Sequence, residues 1–159
     1  MALIDRSDLS TGKVFLILPK HRHNWKFPGG GHDLEDQELR DTPFREAQEE
    51  GGFESMDPTC KMRATIVTLM ELPDNRFARG IHQVFACFVN GMSEQAFFPQ
   101  PSEIQDAGWF DLDIVRKAEE IRGFVLGAEI KPSIEAALSG RGLHRTFESP
   151  RKILYTSIV

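Results

Sequence analysis

Runs of hydrophobic residues separated by turn-forming residues mark out most of the predicted strands. Residues 1–4 and 13–18 (KVFLIL) are two apolar segments joined by DRSDLSTG, which is rich in turn formers. Segments 61–72 and 81–90 are rich in β-branched and aromatic residues and are bounded by turn signals, so both predict strands. GWF at 108–110 predicts a further short strand.

Other stretches carry helix signals. Thr42 offers a capping hydroxyl and Pro43 suits a first helical turn, whereas the glycines at 51–52 favour the end of the same helix. Apolar residues recur at helical spacing over 112–121 and again over 134–138. Few helices mixed irregularly with strands indicate an α+β or α/β/α sandwich domain.

The chain has 159 residues, and it shows neither an internal repeat nor a low-complexity linker. We therefore predict a single domain over residues 1–159. Near the end, RGLHRTFESPRK carries a local positive excess. Closure over a polyphosphate is one interpretation, and a solvated charged tail is the safer one. The final KILYTSIV is either a last strand or a loose end.

Charge and composition narrow the classes of ligand. A net charge of −5 argues against a broad grip on nucleic acid or on an anionic membrane. A small anionic ligand is still compatible with it, because a bound divalent cation reverses the local field. No apolar stretch approaches the roughly 20 residues of a membrane span, and MALIDRSDLS does not resemble a signal peptide, so we expect a cytoplasmic protein. Cys60 and Cys87 are expected to be reduced thiols.

The stretch REAQEEGGF, residues 45–53, crowds like charges together. Glu46, Glu49 and Glu50 lie at i, i+3 and i+4, so a helix at about 100° per residue places them on one face. Like charges at these spacings repel unless a cation binds there, and Mg²⁺ prefers carboxylate oxygen. A solvated acidic face is the ordinary outcome for paired glutamates, so the cluster alone does not decide between the two.

A glycine-rich loop precedes this acidic segment. Three consecutive glycines, at 29–31, leave backbone without Cβ atoms that turns sharply and approaches a ligand closely. A glycine loop feeding an acidic helix is consistent with a site for phosphate and Mg²⁺.

The stretch GGHDLEDQELRDTPFREAQEEGGF resembles the Nudix box, whose pattern is G-x5-E-x7-R-E-U-x-E-E-x-G-U with U a bulky aliphatic residue. Counted from Gly31, the pattern places Arg45, the three glutamates and a closing glycine in register. Gln37 stands where the pattern has glutamate, with Glu35 and Glu38 close by. The resemblance implies the Nudix α/β/α sandwich with a mixed sheet.

The resemblance also implies an activity, the hydrolysis of a phosphoanhydride in a nucleoside diphosphate linked to another group. By this resemblance Glu49 and Glu50 hold Mg²⁺, with Mn²⁺ as an alternative. Glu46 is a metal ligand or general base, and Arg45 orients it. A further acid from outside the box often takes part, and Glu103 is the first candidate. Glu94 and Asp106 stand behind it, and an exposed loop carboxylate is an equally good interpretation of all three.

Substrate contacts are less well marked. The candidates for phosphate contact are Gly30, Gly31, His32 and Arg22. Solvent exposure is the competing interpretation of His32, and nearby Trp25 is expected to pack rather than to stack on a base. Phe97 and Phe98 are either a stacking pair or, more commonly for such residues, part of the packing. The partner is a small phosphorylated molecule, and a homodimer is allowed.

Two alternatives stay open. A diphosphoinositol polyphosphate hydrolase draws faint support from the glycine loop, from Arg79 and His82 before and within a strand, and from Lys131–Pro132 before a helix. A Nudix-fold binding module without turnover is suggested by Gln37, whereas the intact set of three helical glutamates argues against it.

Overall fold

The structure is a computed structural model, and it describes part of the chain. The backbone is described for residues 1–6, 12–38, 41–54, 61–71, 77–140, 143–149 and 152–156. Statements about side chains concern residues 1–6, 12–38, 41–54 and 84–140.

Seven strands of this described part form one mixed sheet. The strands are β1 (Ala2–Asp5), β2 (Lys13–Pro19), β3 (Lys61–Glu71), β4 (Phe77–Val89), β5 (Ile104–Asp111), β6 (Leu143–Ser149) and β7 (Lys152–Thr156). Their order across the sheet is β5-β2-β1-β4-β3-β6-β7. The β1–β4 and β3–β6 pairs are parallel, and the other neighbouring pairs are antiparallel.

Alternation along the central strands supplies a core on each face of the sheet. In β2, Val14 and Leu16 join one buried cluster, whereas Phe15 and Ile17 join the other. Successive side chains of a strand point to opposite faces, so a strand that is apolar at every position is covered on both sides.

Helices cover both faces. Helix α1 (Asp41–Gly51) contributes Ala47 to the cluster that holds Phe15. Helix α3 (Ile130–Ser139) contributes Ile130 and Ile134 to the opposite cluster. Helix α2 (Leu112–Arg116) adjoins the end of β5. This arrangement is the predicted α/β/α sandwich with a mixed sheet, so the fold class is confirmed.

Some element boundaries differ from the prediction. The predicted helix over 112–121 is divided into α2 and a 3₁₀ turn over Ala118–Glu120. Strand β5 begins before GWF. Its first half carries exposed polar residues, which an edge strand accommodates and which a hydrophobic pattern does not predict. The interpretation of RGLHRTFESPRK as a solvated tail is wrong over 143–149, where the backbone forms β6 beside β3. KILYTSIV begins with the last strand, β7.

Two further expectations concern the cysteines and membrane-spanning segments. Cys87 is buried and disulfide-bonded, so the reduced thiol expected there is wrong, and Cys60 lies outside the described residues. No helix within the described ranges is both long and apolar enough to cross a lipid bilayer.

Candidate active site

The glycine loop lies directly against the acidic face of α1. A Cβ atom on Gly30 would lie 2.2 Å from Oε1 of Glu46, which leaves no room for a side chain. The backbone N–H of Gly29 donates a hydrogen bond of 2.7 Å to Oε2 of Glu50. A side chain at Gly30 would therefore displace the Glu46 carboxylate, whereas a Cβ atom on Gly29 or Gly31 would meet no atom closer than 3.7 Å.

Arg45 connects the glycine loop to the carboxylates. Its Nη1 donates to Glu46 Oε1 at 3.1 Å and to Glu49 Oε2 at 3.0 Å. Its Nη2 donates to the carbonyl oxygen of Gly31 at 3.0 Å. The guanidinium fork thus fixes two glutamates relative to the loop. A hydrogen bond to Asp36, followed by the charges of Glu46, Asp36 and Glu49, raises the pKa of Arg45 further above its usual value.

Asp36 holds the other side of the same guanidinium. Arg45 donates to Asp36 Oδ1 from Nε and to Oδ2 from Nη2, both at 3.2 Å. The hydroxyl of Thr42 and the N–H of Asp33 also donate to Oδ2, at 2.7 and 2.9 Å. Hydrogen bonds from Arg45 first, then from Asp33 and Thr42, hold the pKa of Asp36 well below its usual range. This buried carboxylate is therefore fully ionised at neutral pH.

Glu50 has a different cation beside it. Nζ of Lys26 lies 3.0 Å from Oε1 and 3.3 Å from Oε2 of Glu50, and it also donates to the carbonyl oxygen of Gly29. Lys26 is itself fixed by backbone hydrogen bonds of 2.9 Å in both directions with Ile17 of β2. The Lys26–Glu50 pair, 20% and 9% exposed in its side chains, ties the end of α1 to the loop and to the sheet.

The helical glutamates open onto one cleft of about 630 Å³. Its lining residues are Glu46, Glu49, Glu50, Phe98, Gln100 and Glu103. Glu103 precedes β5, and its carbonyl oxygen accepts a hydrogen bond from the N–H of Lys20. The structure therefore brings Glu103 to the same cleft as the glutamates of α1, whereas Glu94 and Asp106 do not line it.

Burial raises the pKa of Glu46 above its ordinary value, and the neighbouring charge of Glu50 raises it further, whereas Arg45 opposes the shift. A carboxylate with this shift accepts a proton more readily than an exposed one. The side chain of Glu49 is less buried than that of Glu46, since half of it is exposed to the cleft.

The donor set fits a hard divalent cation, because four carboxylates face one cleft and oxygen is the ligand that Mg²⁺ prefers. Within the described residues, no three acidic, histidine or cysteine groups yet converge as a metal-binding cluster. Arg45 engages Glu46 and Glu49 instead, and Lys26 draws Glu50 towards the glycine loop. Ligation of a metal by these residues would require some of these ion pairs to loosen.

The side chains predicted to contact phosphate, His32 and Arg22, are not among the residues that line the cleft. Nδ1 of His32 lies 3.0 Å from the Thr42 hydroxyl, and half of the His32 side chain is exposed. Arg22 is exposed in the turn after β2 and does not line the cleft. The side chains of Arg79 and His82 lie outside those that the structure describes.

The three aromatic residues considered as ligand contacts differ in their burial. Trp25 is buried, with its ring 4.7 Å from that of Phe110, so the expectation that it packs is confirmed. Phe97 packs edge-on against Phe15 in the core. Phe98 is 71% exposed and lines the cleft, so the two consecutive phenylalanines do not form a stacking pair.

Three residues of this site, Asp36, Lys26 and Gln100, were not predicted from the sequence. Asp36 lies one position before the residue that the family pattern marks, and no local spacing singles out Lys26 or Gln100. Gln37 itself is exposed, and among the described residues its side chain has no hydrogen-bonding partner. Thr42 was expected to cap a helix, but its hydroxyl donates to Asp36 and α1 begins at Asp41.

This arrangement of a glycine loop, an acidic helix and a mixed sheet corresponds to a known family. The sequence model of the NUDIX domain matches residues 2–126. The chain therefore belongs to the Nudix family, and the expected class of enzyme, a hydrolase of phosphoanhydride bonds, is confirmed at that level. A search of curated protein sequences found no match.

Three solved structures illustrate the similarity of fold. A MutT protein from Bacillus halodurans has a TM-score of 0.62 at 14% identity, over 98% of this chain and 92% of that one. A C. elegans Ap4A hydrolase has a TM-score of 0.55 at 15% identity, over 87% and 94%. A MutT/Nudix family protein from Enterococcus faecalis has a TM-score of 0.55 at 20% identity, over 70% of this chain and only 41% of its own. At these identities the similarity establishes the fold.

Proposed function

We propose that the chain is a Mg²⁺-dependent pyrophosphohydrolase that cleaves a phosphoanhydride bond in a nucleoside diphosphate-linked substrate, such as a nucleotide sugar or a dinucleoside polyphosphate. The observation that carries the proposal is the set of four glutamates, Glu46, Glu49, Glu50 and Glu103, around one open cleft. A bound divalent cation would neutralise charge on the transferred phosphoryl group and lower the pKa of a water molecule.

The residues of the chain take distinct parts in this reaction. Glu49, Glu50 and Glu103 would supply oxygen ligands, since all three line the cleft. Glu46, whose pKa is raised by burial, would accept a proton from the attacking water or complete the ligand set. Arg45 would orient Glu46 through the hydrogen bond from its Nη1.

The glycine loop would contribute shape rather than charge. Gly30 and Gly31 leave the loop backbone exposed beside Glu46 and Arg45, where phosphate oxygens can approach closely. His32 and Arg22 are the nearby side chains proposed for phosphate contact, and both are at least partly exposed.

A nucleoside diphosphate derivative fits the cleft better than a diphosphoinositol polyphosphate. A densely phosphorylated inositol needs several cationic side chains, whereas the charged side chains that line this cleft, among those the structure describes, are all glutamates. Lys131, one of the features that suggested the inositol substrate, lines another cavity and pairs with Glu119 at 2.9 Å. The C. elegans structure of similar fold is that of an Ap4A hydrolase, which is consistent with a nucleotide substrate.

The decisive experiment is phosphate release from a panel of nucleotide sugars and dinucleoside polyphosphates, with Mg²⁺ and with EDTA. We expect Mg²⁺-dependent release from at least one of them and a loss of about 100-fold or more in Glu49→Gln. Glu35→Gln is the matched control, because Glu35 is an exposed acid outside the cleft lining. Binding without release would indicate a non-catalytic module, and undiminished release in Glu49→Gln would contradict the assigned site.

The proposal places this reaction in the cytoplasm, with a small phosphorylated molecule as the partner of the site. One chain supplies all of the residues invoked, so the mechanism does not need the homodimer that the sequence allows. Light scattering after size-exclusion chromatography determines whether that dimer forms.

A further inference from the structure

We propose that Phe98 is the stacking surface for the aromatic base of the substrate, an inference that rests on the proposed nucleotide hydrolase function. Phe98 lines the same cleft as Glu46, Glu49 and Glu103. It therefore places an aromatic ring and a carboxylate cluster on the walls of one site. A ligand that satisfies both has phosphates at one end and a planar apolar group at the other, as a nucleoside diphosphate does.

The ring of Phe98 is held outside the core although its neighbour is inside. Phe97 packs at 5.2 Å from the ring of Phe15 and 6.2 Å from that of Phe53, which anchors the segment. Phe98 is 71% exposed and makes no ring contact with another aromatic side chain of the described residues. An apolar ring left in water loses the free energy of burial, so a ligand that covers it gains that free energy.

The backbone of Phe98 is fixed by the glycine that closes the Nudix box. The N–H of Phe98 donates a hydrogen bond of 3.1 Å to the carbonyl oxygen of Gly52. A Cβ atom on Gly52 would lie 2.0 Å from the carbonyl carbon of Phe98, and Gly52 has a φ of 69°, so glycine is required there on both counts. The ring is consequently positioned next to the end of α1 that carries Glu49 and Glu50.

The neighbouring chemistry suits a base as well. Gln100 follows two residues later, lines the cleft and has an exposed amide that can donate and accept hydrogen bonds at a base edge. Phe98 carries no charge, so it contributes nothing to the binding of phosphate alone. The aromatic ring thus favours nucleotides over phosphate compounds that lack a base, and stacking of this kind tolerates any base because each has a π face.

The test compares two non-hydrolysable ligands that share a P–C–P bridge, α,β-methylene-ADP and methylenediphosphonate, by calorimetry on the full chain in Mg²⁺. Wild type is expected to bind the nucleotide at least about tenfold more tightly than methylenediphosphonate. Phe98→Ala should weaken nucleotide binding by about 5- to 100-fold and leave methylenediphosphonate within about twofold, while Phe98→Trp restores nucleotide binding. Leu34→Ala is the matched control, because Leu34 is fully exposed yet does not line the cleft.

The outcomes separate this inference from the proposed function. A nucleotide preference that disappears in Phe98→Ala supports stacking, even if no member of the panel is hydrolysed. Equal binding of the two ligands by wild type, or a preference that Phe98→Ala leaves unchanged, overturns it, even if hydrolysis is found. A failure of wild type to bind the nucleotide overturns it as well.

Discussion

Asp36 and Arg45 are joined by two hydrogen bonds of 3.2 Å, from Nε and Nη2 of the guanidinium to the two carboxylate oxygens. The first glutamate of the family pattern falls one position after Asp36, where this chain has Gln37. A buried aspartate at the adjacent position therefore supplies the carboxylate that holds Arg45 while Arg45 contacts Glu46 and Glu49. The loss of the pattern's glutamate does not leave the arginine unsupported.

Replacing Asp36 by asparagine should weaken catalysis without removing a ligand of the cleft. The full charge of Arg45 would then be available to Glu46 and Glu49, and the arginine would compete with a metal for both. We expect Asp36→Asn to lower kcat by about 10- to 100-fold and to weaken Mn²⁺ binding, with a smaller change in KM. Steady-state kinetics and Mn²⁺ titration followed by electron paramagnetic resonance measure these effects. Glu35→Gln serves as the control, because Glu35 is an exposed neighbour of Asp36. Equal effects of the two variants would refute the proposal that Asp36 positions Arg45.

Restoring the glutamate of the pattern should change little. Because the Gln37 side chain is exposed and Arg45 already has its carboxylate, we expect Gln37→Glu to alter kcat/KM by less than about tenfold. The same kinetic assay checks this expectation. A gain of several orders of magnitude would show that the natural protein is impaired and that Asp36 does not compensate.

The contact between Gly30 and Glu46 predicts a sharp difference between adjacent glycines. Gly30→Ala would drive a methyl group into the Glu46 carboxylate, whereas a Cβ on Gly31 meets nothing within 4 Å. We expect Gly30→Ala to lower kcat by about 100-fold, because a displaced catalytic group loses its geometry, and Gly31→Ala to cost at least about tenfold less. The ratio of the two kcat values is the measurement, and comparable losses would show that Gly30 does not position Glu46.

Lys26 should affect the response of the protein to metal. Removing its ammonium in Lys26→Met leaves the Glu50 carboxylate partly buried without its cation, which we expect to cost about 2 kcal/mol of folding free energy in EDTA. Glu50 is then more available to a divalent cation, so Mn²⁺ should raise Tm more in the variant than in wild type. Thermal unfolding of the variant and of wild type, with EDTA and with Mn²⁺, measures the two shifts in Tm. A smaller Mn²⁺ shift in the variant would mean that Lys26 assists metal binding instead of competing with it.

Local patterns predicted the parts of the molecule that depend on nearby residues. The sequence predicted the continuous apolar run of β2. It also predicted the helix that carries Glu46, Glu49 and Glu50, together with its glycine end. The role of Asp36 was not, because it depends on a loop that turns back onto Arg45, nine residues further along the chain. Lys26 meets Glu50 across a still longer separation, and no periodicity encodes such a pair.

Contacts between residues that are far apart in the sequence explain the other differences between the predicted and the observed structure. The sequence of β6, LHRTFES, is too polar to predict a strand, and its backbone is instead ordered by parallel pairing with β3. Phe97 and Phe98 look equivalent in the sequence, and only the docking of their segment on Gly52 gives one to the core and the other to the cleft.

The proposed function requires the glutamates around this cleft to hold a divalent cation. Anomalous scattering from crystals equilibrated with Mn²⁺ and a non-hydrolysable nucleotide tests it most directly. We predict a manganese peak within coordination distance of Glu49 and Glu50, with Glu46 or Glu103 completing the protein ligands. Manganese absent from the cleft, or bound elsewhere on the chain, would contradict it.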